Sequence, residues 1–411
     1  VKYFQVVDTT LRDGEQAAGL AFSLAQKLNL AMTLAEAGVR YLEAGIPAMG
    51  GSEAQAVSAI ARELPDLHII AWNRLKTSDI DASLACGVKE LHLSFPVSRV
   101  LLNLKFPGGL PQALHALDLC VDRIQRAGAV FSVGAEDAFR GDREILTTLV
   151  GACQRHGAIR LRLCDTVGSA HPGSVARLVR ALRHLGAPPL EIHAHNDLGL
   201  ATANTLAALH AGAGYADVTV LGIGERAGNA ALEEVALAAK LLLNRDCRLD
   251  ASQFLVLSRL TAQACGEDIP VRKPVCGSAV FRHEAGIHVS ALMKDSRAYE
   301  FLEPGQVGAV RTFVLGKHSG RAPLERALGE SAALSPTRLL AQVRERAITG
   351  GGALGADDLE ALTTFPSESI LTAPASTDPT AKKAADTMAS NQPRVGARAS
   401  GVGKEVLEWE F

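Results

Sequence analysis

Eight short apolar runs, each followed by a longer helical pattern, predict a (β/α)8 barrel of TIM type, an α/β fold, over residues 1–245 of this 411-residue chain. Two further observations favour a closed barrel over an open doubly wound sheet. The segment after the first run reads "DTTLRDGEQ", where a dinucleotide-binding sheet would carry G-x-G-x-x-G. The glycine-rich run "GIGERAG", Gly222 to Gly228, follows the last strand-like segment instead of the first.

The eight runs are "YFQVVDTT", "YLEAGI", "HIIAW", "ELHLSF", "VFSVGAED", "IRLRLCD", "LEIHAHN" and "DVTVLG". The first helix is expected in "SLAQKLNLAMTLAEAGV", where Ser23 and Gln26 form a capping box. Gly38, Gly87, Gly128, Gly157, Gly186 and Gly214 stand near the ends of helical patterns and read as helix stops. After Asn244 the pattern breaks into shorter helical pieces, so residues 246–365 are expected to form an appended helical region. Residues 366–411 are rich in Pro, Ser, Thr, Ala and Gly, the composition of a disordered tail.

Composition narrows the function. Hydrophobic residues make up 47% and charged ones 21%, so the chain can bury a sizeable core. Aromatics are only 4%, which leaves Ala, Leu, Val and Ile to build that core. The formal net charge of -2, without a long basic run, argues against nucleic-acid binding or attachment to a membrane surface. No stretch approaches the ~20 apolar residues of a membrane span. The first residues show no signal-peptide pattern, and none of the seven cysteines forms a close C-x-x-C pair. Reduced thiols and a cytoplasmic location are therefore expected, and a zinc ribbon is not.

Chemistry is expected at the C-terminal ends of the strands. The seventh run offers His193 and His195, two residues apart on a strand and so aimed at one side. The first offers Arg12, Asp13 and Glu15, and the loop after the eighth offers Glu225, Arg226 and Asn229. Strands seven, eight and one are neighbours in a closed barrel, so these groups can converge. Asp13 with two histidines is a two-nitrogen, one-carboxylate set with room for water or substrate, suiting Mn, Fe, Co or Zn better than Mg. The competing reading is a satisfied strand histidine and an aspartate that caps a helix.

"DTTLRDGEQ", "HAHNDLG" and "GIGERAGNAALEEV" resemble the signatures of the metal-dependent aldolase and Claisen-condensing barrels. That family includes isopropylmalate, homocitrate and citramalate synthases and hydroxymethylglutaryl-CoA lyase. The resemblance runs from about Phe4 to about Arg321; "HEAGIHVSALMKD" and "LGKHSGR" point to its synthase branch. "GLAFSLAQKL", "EAGIPAMG", "LSFPVS" and "FSVGAEDAFR" look most like the homocitrate synthases of nitrogen-fixing bacteria, which serve nitrogenase iron–molybdenum cofactor synthesis.

The resemblance implies condensation of acetyl-CoA with 2-oxoglutarate and water, giving homocitrate and CoA, at a divalent metal (Mn, Mg, Zn or Co). It implies Asp13, His193 and His195 as metal ligands with Asn229 close by. Arg12 would stabilise charge on the keto oxygen, Glu136 would act as acid or relay, and His288 would be the base or proton shuttle. His288 and Tyr299 would serve the partner's barrel in a homodimer with exchanged lids. Gln16, His92 and Thr166 match positions that touch the 2-oxo acid.

Two departures stand out. Lysine-pathway homocitrate synthases carry an Arg before the fifth-strand Glu to grip the distal carboxylate, and "VFSVGAED" has none. Arg162, which faces the same way as Thr166 by alternation, or Arg74 is expected to substitute. Secondly, no domain of the isopropylmalate-synthase regulatory type follows Arg321. The competing functions are the same chemistry on 2-oxoisovalerate or pyruvate, a lyase running the reaction backwards, and a non-catalytic metal-binding barrel.

Overall fold

The computed structural model describes residues 2–322, 324 and 335–354. Eight parallel strands close a barrel in chain order: β1 Gln5–Asp8, β2 Tyr41–Gly45, β3 His68–Asn73, β4 Glu90–Pro96, β5 Val130–Glu136, β6 Leu161–Asp165, β7 Leu190–Ala194 and β8 Tyr215–Val218. The ring closes where β1 pairs with β8, with Gln5 opposite Tyr215 and Asp8 opposite Val218. Every expected strand is present.

The helices are α1 Leu24–Glu36, α2 Gly51–Glu63, α3 Thr77–Ala85, α4 Arg99–Lys105, α5 Gly109–Arg126, α6 Arg143–His156, α7 Pro172–His184, α8 Ala201–Ala211, α9 Leu232–Leu243, α10 Phe254–Cys265, α11 Gly286–Leu292 and α12 Pro336–Thr349. Helix α1 starts on the expected capping box: Gln26 N donates to Ser23 Oγ at 3.3 Å, and Ser23 N donates to Gln26 Oε1 at 2.8 Å. Of the expected helix stops, Gly214 was misplaced. Helix α8 ends on Gly212, whose φ of 109° takes the left-handed turn, and Gly214 instead leads into β8.

The hydrophobic core lies between the strand ring and the helix shell, where Leu30, Leu34, Val57, Ile60, Leu117, Ile124, Leu149 and Val179 are buried against outward-facing strand residues such as Leu42, Leu91 and Leu163. Burying each such side chain contributes about 1.5–3 kcal/mol. Inside the ring the pattern reverses. The inward positions of six of the eight strands, with Arg160 just before β6, read Tyr41–Glu43, Glu90–His92–Ser94, Ser132–Gly134–Glu136, Arg160–Arg162–Cys164, Glu191–His193 and Tyr215–Asp217. Barrels usually fill this space with branched apolar residues; here those six strands fill it mostly with polar and charged ones.

Residues 246–322 form α10, α11 and short 3-10 turns, together with a two-stranded parallel pair, Arg282–His283 with Thr312–Phe313, that the helical pattern does not predict. Helix α12 packs through Leu339, Leu340 and Val343 on Leu315 and Leu324, a cluster separate from the barrel core. The expected tail, residues 366–411, lies outside the described residues. Among the described residues no helix is long and apolar enough to cross a membrane.

A candidate metal centre at the barrel mouth

The floor of the barrel is an ionic lattice. Arg160 binds Glu90 and Glu191, the latter at 2.6 Å, and lies over the rings of Tyr41 and Tyr215 at 5.3 and 4.8 Å. One layer higher, Arg162 binds Glu191, reaches Glu43 Oε2 at 2.6 Å and lies 2.8 Å from Asp217 Oδ2. Arg12 binds Glu43 and reaches Asp13 Oδ1 at 2.5 Å and Gln16 Oε1 at 3.3 Å. The arginines and acids among these are all buried, and the carboxylates (Asp13, Glu43, Glu90, Glu191, Asp217) outnumber the guanidiniums.

Burial alone would raise the Glu43 carboxyl, but Arg12 and Arg162 outweigh it and hold it down to about 2. Asp217 goes the other way. Burial pushes it well above the usual carboxylate range, with Glu191 and Glu43 adding repulsion against the pull of Arg162.

The loop after β1 carries Asp13 to the mouth. Thr9 N donates to Val218 O at 2.8 Å, Thr10 Oγ1 donates to Asp8 Oδ2 at 3.0 Å, and Val220 N donates to Thr10 Oγ1 at 2.9 Å. The β1 loop is thus stitched to the β8 loop, and burial raises Asp8 behind it to about 7. On the β8 loop Asn229 Nδ2 donates to Asp13 Oδ2 at 2.6 Å and to Ile223 O at 3.1 Å. Two glycines of "GIGERAG" make this approach possible. A Cβ on Gly228 would collide with the Gly222 carbonyl, and one on Gly224 with the Asn229 amide. The glycine run is a packing device rather than a nucleotide loop.

His193 is the penultimate residue of β7, and His195 follows the strand's end, bridged to Asn229 on the neighbouring β8 loop. Their Nε2 atoms lie 3.3 Å apart, and Asp13 Oδ2 lies 3.8 Å from the first and 4.0 Å from the second. Among the described residues, Asp13, His193 and His195 form the group of potential ligands that converge on one point. Burial drives His193 down to about 3 and also lowers His195, so both imidazoles stay neutral with lone pairs to offer. Burial would raise Asp13, but Arg12 and the two histidines hold its carboxyl well below the usual range. Two buried atoms beside the triangle, Asn229 Oδ1 and His195 Nδ1, have no hydrogen-bond partner. An anionic pocket with neutral imidazoles and orphaned polar atoms fits a divalent cation with water or substrate oxygens around it.

A cavity of about 190 Å³ opens above this triangle, lined by the expected Arg12, Gln16, His92, Glu136, Arg162 and Thr166 as well as by the ligands. His92 is buried, with Nδ1 2.9 Å from Ser132 Oγ. It passes over Gly134, where a Cβ would come 2.5 Å from His92 Nε2. Thr166 Oγ1 accepts from Asp137 N at 2.8 Å. Glu136 stands across the cavity from Asp13 and binds Lys105 Nζ at 2.5 and 2.7 Å.

The two expected grips for a distal carboxylate turn out to be committed. Arg162 lines the cavity but is saturated by three carboxylates, because the strand alternation that aims it inward also aims Glu43, Glu191 and Asp217 at it. Arg74 lies outside the cavity and binds Asp79 at 2.7 Å on the surface. His288 and Tyr299 are exposed and stack on each other with ring centroids 4.1 Å apart, away from their own chain's cavity. Lys105, Ser132, Gly134 and Asp217 were not singled out from sequence. The inward positions of Ser132, Gly134 and Asp217 could have been read from the same alternation that exposed His193 and His195.

Residues 3–261 match the HMGL-like family, and residues 275–345 match the homocitrate synthase post-HMGL domain-like family. The chain is 45% identical to homocitrate synthase 1 of Nostoc sp., over 76% of this chain and 83% of that protein. It is 45% identical to the homocitrate synthase of Frankia alni, over 78% and 92%. It is also 43% identical to 2-isopropylmalate synthase 2 of Caldanaerobacter subterraneus, over 78% and 83%. Among solved structures, the HMG-CoA lyase of Bacillus subtilis superposes with a TM-score of 0.60 at 21% identity, covering 66% of this chain and 97% of that one, a likeness of fold.

Proposed function

We propose a reaction from the premise that this chain belongs to the HMGL-like family of metal-dependent condensing barrels: it condenses acetyl-CoA with 2-oxoglutarate and water to give homocitrate and CoA. The observation that carries the reading is the Asp13–His193–His195 triangle facing Arg12 and Glu136 across one small cavity. The acceptor follows the Nostoc and Frankia relatives. Supplying homocitrate to nitrogenase cofactor assembly is the role that goes with it.

When bound by Asp13, His193 and His195, a divalent metal supplies Lewis acidity at the acceptor's keto oxygen. This chain's residues do the rest. The Arg12 guanidinium faces the charge that develops on that oxygen as the carbon–carbon bond forms; removing such a group typically costs ~10²–10³ in rate. Gln16, His92 and Thr166 orient the 2-oxo acid. Glu136 stands opposite as the acid or relay. His288, with Tyr299 packed on it, removes the thioester methyl proton after reaching over a second copy's barrel. Ile287, Phe301 and Val310, large apolar residues left exposed in the same appended region, support an exchanged-lid homodimer. Hydrolysis of the resulting thioester then releases CoA thiol.

The test is thiol release by metal-reconstituted protein with acetyl-CoA and 2-oxoglutarate, 2-oxoisovalerate or pyruvate. Release with 2-oxoglutarate alone, lost on chelation, is the expected result. Preference for 2-oxoisovalerate would move the chain toward its isopropylmalate-forming relatives, and preference for pyruvate toward the putative citramalate synthase of Methanosphaerula palustris, 40% identical over 79% of this chain. No release with any acceptor would overturn the synthase reading.

A further inference from the structure

The two histidines of the triangle are not held alike. For an imidazole to offer its Nε2 lone pair, the ring proton must sit on Nδ1. His195 Nδ1 is buried without a partner. His193 Nδ1 instead faces a carboxyl group: Asp217 Oδ2, on β8 beneath it, lies 3.2 Å away. Asp217 is buried, and neither of its oxygens has an aligned hydrogen bond among the described residues.

Asp217 is also an end of a chain of polar contacts. Arg162 Nε lies 2.8 Å from Asp217 Oδ2, and Arg162 Nη2 donates to Glu43 Oε2 at 2.6 Å. Glu43 binds Arg12, and Arg12 Nη1 donates to Asp13 Oδ1 at 2.5 Å. The path starts under His193 and ends on Asp13, two members of the triangle, through two arginines and a glutamate that are all buried.

We propose that Asp217 is the positioning residue of the metal centre: its Oδ2 accepts from the protonated Nδ1 of His193, so that Nε2 stays bare and aimed at the ion. This rests on the metal-centre reading above. Metal-bound histidines generally lean on an outer carboxylate or carbonyl through the other ring nitrogen, and losing it typically costs ~10–100-fold in metal affinity. The Arg162–Glu43–Arg12 path fixes Asp217 and Asp13 relative to each other, so a shift at one is passed to the other. A bare counter-ion for Arg162 would need no histidine above it.

The experiment measures Mn²⁺ affinity of the full chain by electron paramagnetic resonance, with the absorption spectrum of the Co²⁺-substituted protein as a second reading. Asp217→Ala is expected to weaken Mn²⁺ binding ~10–100-fold and shift the Co²⁺ spectrum. Asp217→Asn keeps an acceptor oxygen and should recover most of the affinity. Asp217→Ala and Asp217→Asn both binding Mn²⁺ within about twofold of the parent, with an unchanged Co²⁺ spectrum, would overturn the proposal. Should Asp217→Ala fail to fold, Asp217→Glu replaces it: the added methylene drives the carboxylate into His193 and should cost at least ~10-fold, and parental affinity would sink the idea. A parent chain that fails to bind Mn²⁺ removes the metal reading itself, whereas a tight-binding parent with indifferent variants removes only the role of Asp217.

Discussion

Replacing Arg162 with methionine should destabilise the barrel without acting as a selective lesion in substrate binding. Arg162 is 1% exposed and shares its guanidinium among Glu43, Glu191 and Asp217. Methionine keeps much of the stem and removes the charge, leaving carboxylates facing one another in a dry interior. Deleting one partner of a buried pair costs about 3–5 kcal/mol. At ~2–4 °C per kcal/mol for a domain of this size, Tm should drop by roughly 6–20 °C at neutral pH.

The pH dependence carries a sign. In the parent, Glu43 is held near 2, below its ordinary 4.5, so its share of stability is present above about pH 4.5 and lost as pH falls toward 2. Without Arg162, burial is opposed by less and the carboxyl rises, so protonation relieves the variant at higher pH. The gap in Tm should therefore be widest at pH 7–8 and narrow toward pH 5. Thermal unfolding by circular dichroism across that range checks it, together with KM for 2-oxoglutarate and 2-oxoisovalerate below the lower Tm. An unchanged Tm with KM raised tenfold for 2-oxoglutarate alone would refute this reasoning and make Arg162 a direct grip on the acceptor.

Gly134→Ala puts a methyl 2.5 Å from His92 Nε2 and 3.7 Å from Cys164 Sγ; a loss of about 1–3 kcal/mol and a raised acceptor KM are expected, measured by urea unfolding and initial rates. Lys105→Met frees Glu136 at the rim, where the pair is part-exposed and adds under about 1 kcal/mol. Its Tm should hold while turnover falls on every acceptor, because Glu136 loses the cation that positions it; unchanged turnover would make the pair a rim contact without a role in the reaction. His193, driven to about 3 by burial, binds a proton more readily unfolded than folded, so metal-free stability should decline as pH falls from 6.5 toward 3. Denaturant unfolding in chelator between pH 8 and 4 measures that, and a flat profile counts against neutral buried imidazoles.

The barrel was legible because its signal is repeated: eight apolar runs, each followed by a helix, leave little freedom of topology. The metal triangle was legible because i and i+2 on a strand share a face and because barrel closure makes β1, β7 and β8 neighbours. The roles of individual cations were not. Alternation puts Arg162, Glu43, Glu191 and Asp217 all inside the ring but does not say which of them meet, since that depends on the stagger between strands. Lys105 escaped because α4 carries no period that fixes its orientation toward β5. Gly214 was misread as a stop because two glycines flank Ala213 and only the backbone turn of Gly212 selects between them.

The stitching of the β1 loop to the β8 loop has a temporal consequence. Asn229 holds Asp13 across 216 positions of sequence, so a growing chain contains no ion-binding site until the barrel's last strand and its following loop have emerged from the ribosome. An ion that prefers the closed ring will therefore act late, as a latch on ring closure, and stabilise by its occupancy. Truncation before β8 should leave a chain that collapses yet cannot be rescued by added ion.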